Sequence, residues 1–170
     1  MPTSSITIKR ARRFLTAAVL GVPLAGLFTA CAGPSSSITP TASGKSLPVS
    51  IELSANVNPD ARGRASPIVF RFYELETTSA FSASDFVSLF ERDQATLGAG
   101  LIAREEWTLL PGQRIEQVRK LNIKTQYIGA IAAFRDLERS AWRATVGVSA
   151  LSAAGLQISL ASRNLRLDPR

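Results

Sequence analysis

The feature that most limits what this chain can fold into is a short apolar leader that ends at its only cysteine. Four cations precede an apolar run over residues 14–28, and two small residues, Thr29 and Ala30, come directly before Cys31. A membrane-spanning helix needs about 20 apolar residues, whereas this run has 15 and is interrupted by Pro23. We therefore predict that residues 1–30 are a secretory signal peptide that is removed from the mature protein.

The position of Cys31 predicts that the mature chain is acylated there. Small residues before a cysteine are typical of a bacterial lipoprotein processing site, although Phe28 stands where leucine is usual. A diacylglycerol and an N-acyl chain hold a bilayer more firmly than one acyl chain, because each buried methylene contributes about 0.8 kcal/mol. Ala32 stands where an aspartate would favour the inner membrane, so we expect the periplasmic face of the outer membrane. The alternative is an ordinary signal peptide followed by a free thiol.

Composition excludes several classes of function for the 140 residues that remain. The leader carries four of the 20 basic residues and none of the acidic ones, which leaves 16 basic against 13 acidic side chains, a net charge of +3. This balance, with no Lys/Arg block interleaved with aromatic residues, predicts no nucleic-acid partner. The chain has no histidine and no second cysteine, which excludes metal sites built on those ligands and any intramolecular disulfide.

The sequence also offers little for catalysis. Its carboxylates are scattered, with Asp60 in a turn and Asp85 at a helix start, and none forms a pair at a spacing typical of acid–base chemistry. The glycines at 98 and 100 are not followed by the Lys-Ser/Thr of a phosphate-binding loop. We therefore predict that the protein is not an enzyme, has no small-molecule substrate and carries no cofactor besides the lipid on Cys31.

A polar stretch separates the cysteine from the first pattern of secondary structure. Residues 32–48 are rich in Ser, Thr, Pro and Gly and contain almost no large apolar side chains, so they cannot repay the entropy of becoming ordered. We predict a lipidated N terminus and flexible linker over residues 31–48, with an end-to-end distance on the order of 20–25 Å. The folded domain is predicted to cover residues 49–168.

Alternation of apolar and polar residues predicts that this domain is all-β. Residues 49–57 keep a period of two, which is typical of a strand with one buried face, and residues 127–134 are almost continuously apolar, as in a central strand covered on both faces. Further strands are predicted at residues 68–73, 107–110, 142–148 and 156–160. A change of parity predicts a bulge or break near Ser162, and residues 114–121 leave strand and helix open. Six or seven strands with short turns favour an antiparallel β-sandwich.

One short helix is predicted within this series of strands, from Ser82 to Phe90. Ser82 stands at the N-cap with Asp85 three residues later, an arrangement that resembles a capping box. Phe86, Leu89 and Phe90 then fall at positions i, i+3 and i+4 and form an apolar stripe. We expect this stripe to lie on the sheet.

The loop between the first two strands is the candidate binding site. Turn-forming residues are concentrated in it, together with two arginines, and two interpretations remain open from composition. It is either a solvated connection or an exposed recognition loop on a rigid scaffold, since binding residues are often on loops. The candidate partner-binding residues are Asn58, Pro59, Asp60, Arg62, Gly63, Arg64 and Ser66.

The order and spacing of short motifs from Cys31 to about Leu167 resemble one known family. It is the outer-membrane lipoprotein of the type VI secretion system, the TssJ family, also called VasD or SciN. The matching residues are Cys31, Asn58-Pro59-Asp60, Gly63-Arg64, Ser66-Pro67, Arg71, Tyr73-Glu74-Leu75, Phe81, Asp85-Phe86, Leu89, Pro111-Gly112, Tyr127-Ile128-Gly129, Ala132-Ala133-Phe134-Arg135-Asp136 and Trp142-Arg143.

The resemblance implies a transthyretin-like β-sandwich with an added helix, anchored by lipid in the outer membrane. It also implies that the loop over residues 58–66 binds the periplasmic C-terminal domain of the inner-membrane protein TssM. The alternative from another class is a periplasmic lipoprotein that binds a ligand or inhibits a target enzyme. A deep pocket lined by aromatic residues would favour that alternative, whereas an exposed loop above a filled core would favour the structural role.

Overall fold

The computed structural model describes residues 44–170, so the predicted leader, Cys31 and linker residues 31–43 lie outside the described part. Within it, the chain forms eight strands in two four-stranded sheets, with the order β4-β1-β7-β8 in one (the β1 sheet) and β3-β2-β5-β6 in the other (the β2 sheet). Neighbouring strands are antiparallel except β1 and β7, which are parallel. The strands are β1 Ser46–Leu53, β2 Ile68–Leu75, β3 Leu101–Leu109, β4 Arg114–Lys120, β5 Tyr127–Ala132, β6 Arg143–Gly147, β7 Leu156–Ala161 and β8 Asn164–Pro169.

The hydrophobic core lies between the two sheets and is contributed by alternate residues of each strand. This alternation follows from the strand period of two, which places every second side chain on the inner face. Large inward side chains that are almost fully buried include those of Leu47, Ile51, Phe70, Phe72, Ile128, Ile158 and Leu160. The predicted β-sandwich is confirmed, and β5 is a central strand, as its apolar sequence predicted.

Three predictions differ from the observed strands in bounds or type. The strand predicted at residues 107–110 is β3, which begins at Leu101 and ends at Leu109. β1 runs from Ser46 to Leu53, so it begins inside the predicted linker and ends before residue 57. The chain leaves the sheet after Ser54, because the Ser54 carbonyl accepts the N–H of Val57 at 3.2 Å and its hydroxyl donates to Asn56, which forms a turn. Residues 114–121, left open between strand and helix, form the edge strand β4.

The predicted break near Ser162 is confirmed as the turn of a hairpin. β7 ends at Ala161 and β8 begins at Asn164, and the two strands pair antiparallel on either side of the turn. The change of apolar parity therefore follows from the reversal of the chain.

The helical insert consists of three short helices between β2 and β3: α1 Ser79–Ala83, α2 Phe86–Glu91 and α3 Asp93–Leu97. The prediction of one helix capped by Ser82 was wrong, because Ser82 lies inside α1 and the backbone of Ser84 is extended. Asp85 instead caps α2, since its carboxylate accepts the N–H of Ser88 at 2.8 Å. The predicted apolar stripe is confirmed: Leu89 is buried, and Phe86 and Phe90 pack beside it against the outer face of the β2 sheet.

Strand directions place the two ends of β1 at opposite ends of the sandwich. Its eight residues span about 26 Å at roughly 3.3 Å per residue. The Gly44 end carries residues 44–45, 121–126 and 148–155 and the two ends of the connection over residues 76–100. The loop end carries residues 54–67, 110–113, 133–142 and 162–163. The candidate loop is therefore at the end of the domain remote from the point where the chain enters it. Among residues 44–170, no helix is long and apolar enough to cross a membrane.

Candidate functional site

Asn58 holds the candidate loop to two other segments of the loop end. Its side chain is almost fully buried, at 3% exposure, and its backbone has a positive φ of 50°, a conformation that asparagine tolerates better than most residues. The amide Nδ2 donates to Pro67 O at 2.8 Å, and Oδ1 accepts the N–H of Arg135 at 2.8 Å. The backbone N–H of Asn58 donates to Ser162 O at 2.9 Å. The base of the loop is thus fixed against residues 133–142 and the β7–β8 turn.

Asp60 shapes the tip of the loop. Its Oδ1 accepts the backbone N–H groups of Arg62 and Arg64 at 2.8 and 2.9 Å, and its Oδ2 accepts Nε of Arg64 at 2.8 Å. Gly63, with φ of 78°, supplies the positive φ that lets the chain turn back. The carboxylate is stabilised mainly by the backbone N–H of Arg64 and, to a smaller extent, by the Arg64 guanidinium. These bonds hold the pKa of Asp60 below its usual value.

The seven predicted residues therefore divide into two groups. Asn58 and Ser66 are buried and hold the loop, and Ser66 donates its N–H to Val57 O at 3.2 Å. Arg62, Gly63 and Arg64 are exposed at the tip, while Pro59 and Asp60 are half-buried beneath it. The tip, with its two guanidinium groups, is the part that can contact another molecule.

An open groove of about 900 Å³ separates the candidate loop from its neighbours at the loop end. Its other wall is formed by residues 135–139 and the β7–β8 turn, which sequence analysis did not include among the candidates. Asp136 and Arg163 form an ion pair of 3.0 Å across these two segments. The groove is lined by Asn56, Pro59, Asp60, Ala61, Gly63, Arg135, Asp136, Glu138, Arg139, Ser162 and Arg163.

The chemistry of this groove suits a polar protein surface. Its lining carries charged side chains of both signs, and no aromatic residue is among the residues that line it. It is wide and open, whereas small-ligand sites are mostly concave and apolar. The part of the chain that the structure describes contains no group of three or more His, Cys, Asp or Glu side chains able to hold a metal ion.

A second charged cluster lies under the helical insert and holds it to the sheet. Arg71 of β2 is only 8% exposed, and its Nε donates to Glu106 Oε2 at 2.5 Å while Nη1 donates to Phe90 O at 2.5 Å. Its guanidinium lies 4.3 Å from the centroid of the Phe90 ring, a cation–π contact. Asp93 accepts from Arg104 at 2.8 Å and lies 3.5 Å from Nη1 of Arg71. This cluster joins four elements, β2, β3, α2 and α3, so its role is to position the insert.

Comparison with known protein families gives a match over most of the described residues. The family model T6SS-SciN, described as type VI secretion lipoprotein, VasD, EvfM, TssJ, matches residues 45–163. The chain belongs to this family. The match covers seven of the eight strands, from β1 to β7, together with the candidate loop and the groove. No curated protein matches the chain.

Solved structures show the same fold. The T6SS lipoprotein TssJ1 from Pseudomonas aeruginosa has a TM-score of 0.70 and 32% sequence identity, with 75% of this chain and 97% of that chain covered. A chain of a structure described as Type VI membrane complex has a TM-score of 0.68 and 26% identity over 74% and 99% of the two chains. A chain of a structure described as T6SS protein TssM C-terminal domain (869-1107) from EAEC has a TM-score of 0.62 and 24% identity over 74% and 99%, which shows the fold alone. The sequence resemblance to the TssJ family is confirmed.

Proposed function

We propose that this lipoprotein is a structural component of the type VI secretion membrane complex that binds the periplasmic C-terminal domain of TssM. The observation that carries the proposal is the candidate loop, whose exposed arginine tip stands on a base fixed by Asn58. Family membership supports the setting, and the descriptions of the similar structures name a type VI membrane complex and the TssM C-terminal domain.

The anchor in this proposal is the lipid on Cys31, with residues 1–30 removed and the domain held at the periplasmic face of the outer membrane. The chain enters the domain at the Gly44 end, and the candidate loop lies at the opposite end. A lipid placed before Gly44 is therefore attached at the end remote from the loop, which leaves the loop end free to bind a partner that reaches across the periplasm.

The binding surface comprises the loop tip and the groove beside it. Arg62 and Arg64 are exposed on one side, and Arg139 and Arg163 line the groove, so a partner surface rich in carboxylates would complement them. Such charge complementarity raises the association rate and decreases with added salt. Because hydrogen bonds already fix the loop before binding, little conformational entropy is lost when the complex forms.

Calorimetry with the TssM periplasmic domain tests the proposal. Arg62→Glu reverses an exposed charge without removing a side-chain hydrogen bond of the loop, so we expect an affinity loss of roughly tenfold or more. Arg166→Glu is the matched control, since Arg166 is exposed on β8 outside the loop end, and we expect it to bind as the unmodified protein does. Shortening residues 58–66 is expected to abolish binding. An unchanged dissociation constant in the shortened variant would overturn the loop assignment.

The alternative, a ligand-binding or inhibitor lipoprotein, gains no support from the groove. The space between the sheets is filled by apolar side chains, and the groove at the loop end is open and polar. We propose a structural role without catalysis, and the charged clusters on residues 44–170 support it because they form ion pairs and helix contacts.

A further inference from the structure

The loop between β4 and β5 is held in place by a buried carboxylate. Glu74 of β2 is 5% exposed, and its Oε2 accepts the backbone N–H of Asn122 at 2.8 Å and the hydroxyl of Thr125 at 2.6 Å. Asn122 Oδ1 accepts the N–H of Lys124 at 2.9 Å within the same turn. These bonds fix the backbone of residues 122–125. They therefore also fix the direction in which the side chains at the apex of the loop leave the backbone.

The apex of this loop presents an isoleucine and a lysine to solvent. Ile123 is 74% exposed, the highest exposure of any large apolar side chain among the described residues, and Lys124 beside it is exposed too. On the adjoining outer face of β4, Val118 is 70% exposed and is followed by the exposed Lys120. We call Val118, Lys120, Ile123 and Lys124 the Gly44-end patch. It combines apolar side chains with cations, and Glu116, the carboxylate on the same face of β4, is paired with Arg114.

The patch adjoins the place where the chain enters the domain. The backbone of Gly44 lies so close to Leu121 that a Cβ on Gly44 would collide with the carbonyl oxygen of Leu121. The N–H of Leu121 donates to Lys45 O at 3.1 Å, and Nζ of Lys45 donates to Leu151 O at 2.7 Å. The first described residues are therefore bonded to the same loop that presents Ile123.

Glu76, an exposed carboxylate at this end, lies on a different side from the patch. The backbone N–H of Glu76 donates to Gly100 O at 2.9 Å, which places Glu76 beside the helical insert. Lys120 pairs with Ser46 on the edge strand of the β1 sheet. Val118, Arg170 and Glu116 line one shallow groove on that same sheet. Glu116 forms an ion pair with Arg114 at 2.8 Å, on the side of the groove toward the loop end.

We propose that the Gly44-end patch contacts the surface of the bilayer that holds the Cys31 lipid. Ile123 enters the interface between headgroups and acyl chains, and Lys120 and Lys124 pair with anionic headgroups. This proposal rests on the lipid anchorage proposed above. The interval of 13 residues between Cys31 and Gly44 spans on the order of 20 Å if flexible, so the patch is held at a high effective concentration near the membrane.

The Gly44-end patch can contact the bilayer because its binding adds to that of the lipid anchor. A few apolar and cationic side chains bind a bilayer weakly on their own, but they add to an anchor that is already inserted. Contact through this end would orient the sandwich, with the loop end facing away from the membrane. The fixed conformation of residues 122–125 supports this role, because a preformed apex loses little entropy when it enters the interface.

A single-cysteine label tests the proposal on the full lipidated chain. Since the only natural cysteine becomes acylated, Ile123→Cys gives one free thiol for an environment-sensitive fluorophore. The protein is reconstituted in vesicles of phosphatidylcholine, phosphatidylglycerol and a nitroxide-labelled phosphatidylcholine. The matched control is Leu110→Cys, an exposed apolar position, 56% exposed, at the loop end. We expect blue-shifted and nitroxide-quenched emission at position 123, and neither change at position 110.

Charge reversal and flotation separate this proposal from the anchorage on which it rests. In the labelled Ile123→Cys protein, adding Lys120→Glu and Lys124→Glu is expected to abolish the quenching while the protein still floats with the vesicles. Equal quenching at positions 123 and 110 in floating vesicles would overturn the membrane contact alone. A chain that did not float would overturn the anchorage and this proposal together. A shift at position 123 that required the TssM domain and not the vesicles would assign the patch to a protein and overturn the proposal.

Discussion

The side-chain carbonyl of Asn58 accepts the backbone N–H of Arg135 at 2.8 Å, although 77 residues separate the two in the sequence. The other end of the same amide donates to Pro67 O. One buried side chain therefore sets the spacing between the two loops that form the candidate groove.

Replacement of Asn58 by alanine is expected to lower both stability and affinity for the TssM domain. It leaves the N–H of Arg135 and the carbonyl of Pro67 without their partner. Both bonds are partly buried, so we expect a total loss of stability of about 1–3 kcal/mol. Urea denaturation and calorimetry measure the two effects. Asn58→Gly is the informative control, because glycine accepts the positive φ of 50° but removes the same hydrogen bonds. Full recovery in the glycine variant would show that backbone strain, rather than the lost bonds, causes the effect.

The conformation of the loop tip is expected to depend on the ionisation of Asp60. Its pKa in the folded protein lies below the usual value of 3.8 because Arg64 donates to the carboxylate through its backbone N–H and guanidinium. Because the pKa is lower in the folded protein, the ionised carboxylate stabilises the folded state at pH values above the unfolded pKa of about 3.9. This stabilisation is lost as the pH falls through the folded pKa. The amide NMR signals of Arg62 and Arg64 should report this transition.

Asp60→Asn serves as the control for this titration. The amide oxygen still accepts hydrogen bonds, but it carries no charge and does not titrate in this range. We expect its Arg62 and Arg64 signals to stay constant through the acid range. A wild-type midpoint at or above 3.8 would contradict the assigned role of Arg64.

Arg71→Met is expected to destabilise the helical insert. The change leaves Asp93 and the carbonyl of Phe90 without the guanidinium that they share, and removing one partner of a buried charge cluster costs on the order of 3 kcal/mol. Hydrogen exchange should show faster exchange in α2 and α3 than in β7, which lies in the other sheet. Arg71→Lys keeps the charge but not the planar fork, so an intermediate loss is expected. Unchanged protection of α2 in Arg71→Met would show that Arg71 does not hold the insert.

Tyr73 is expected to ionise only at very high pH. Burial raises the pKa of its phenol to about 12 from 10.0, against the opposing effect of Arg71. Because the pKa of Tyr73 is higher in the folded than in the unfolded protein, the neutral phenol contributes its full stabilisation of the folded state below about pH 10. This stabilisation is lost as the pH rises toward 12. Tyrosinate absorbance in Tyr127→Phe isolates this group, since Tyr73 and Tyr127 are the two tyrosines of the chain. A midpoint near 10 in that variant would show that the phenol is open to solvent.

The sequence predicted the parts of the fold that depend on local alternation. Phe70 and Phe72 alternate toward the core, and the predicted strands around them were confirmed. The pattern failed to identify β4, because Gln117 and Arg119 occupy inward positions where apolar residues are expected. Arg119 fits there since its guanidinium lies 4.5 Å from the centroid of the Phe72 ring and forms an ion pair with Glu105. These partners become visible only when both sheets are in place.

The candidate loop could be predicted, whereas the opposite wall of its groove could not. Asn58, Pro59 and Asp60 form a dense turn signal within one stretch of sequence. Arg139 and Arg163 come from separate connections, and their place in the groove depends on the order of the strands. A polar turn alone does not distinguish them from other exposed residues, so no local signal was available.

The position of β1 has a mechanical consequence. The strand enters from Gly44, leaves toward Asn58, and is hydrogen-bonded on one side to β4 and on the other to β7. A force applied between its two ends pulls along the strand, so the hydrogen bonds on both sides resist it in shear instead of opening one after another. Tension between an anchor before Gly44 and a partner held at the loop would be carried by this single strand.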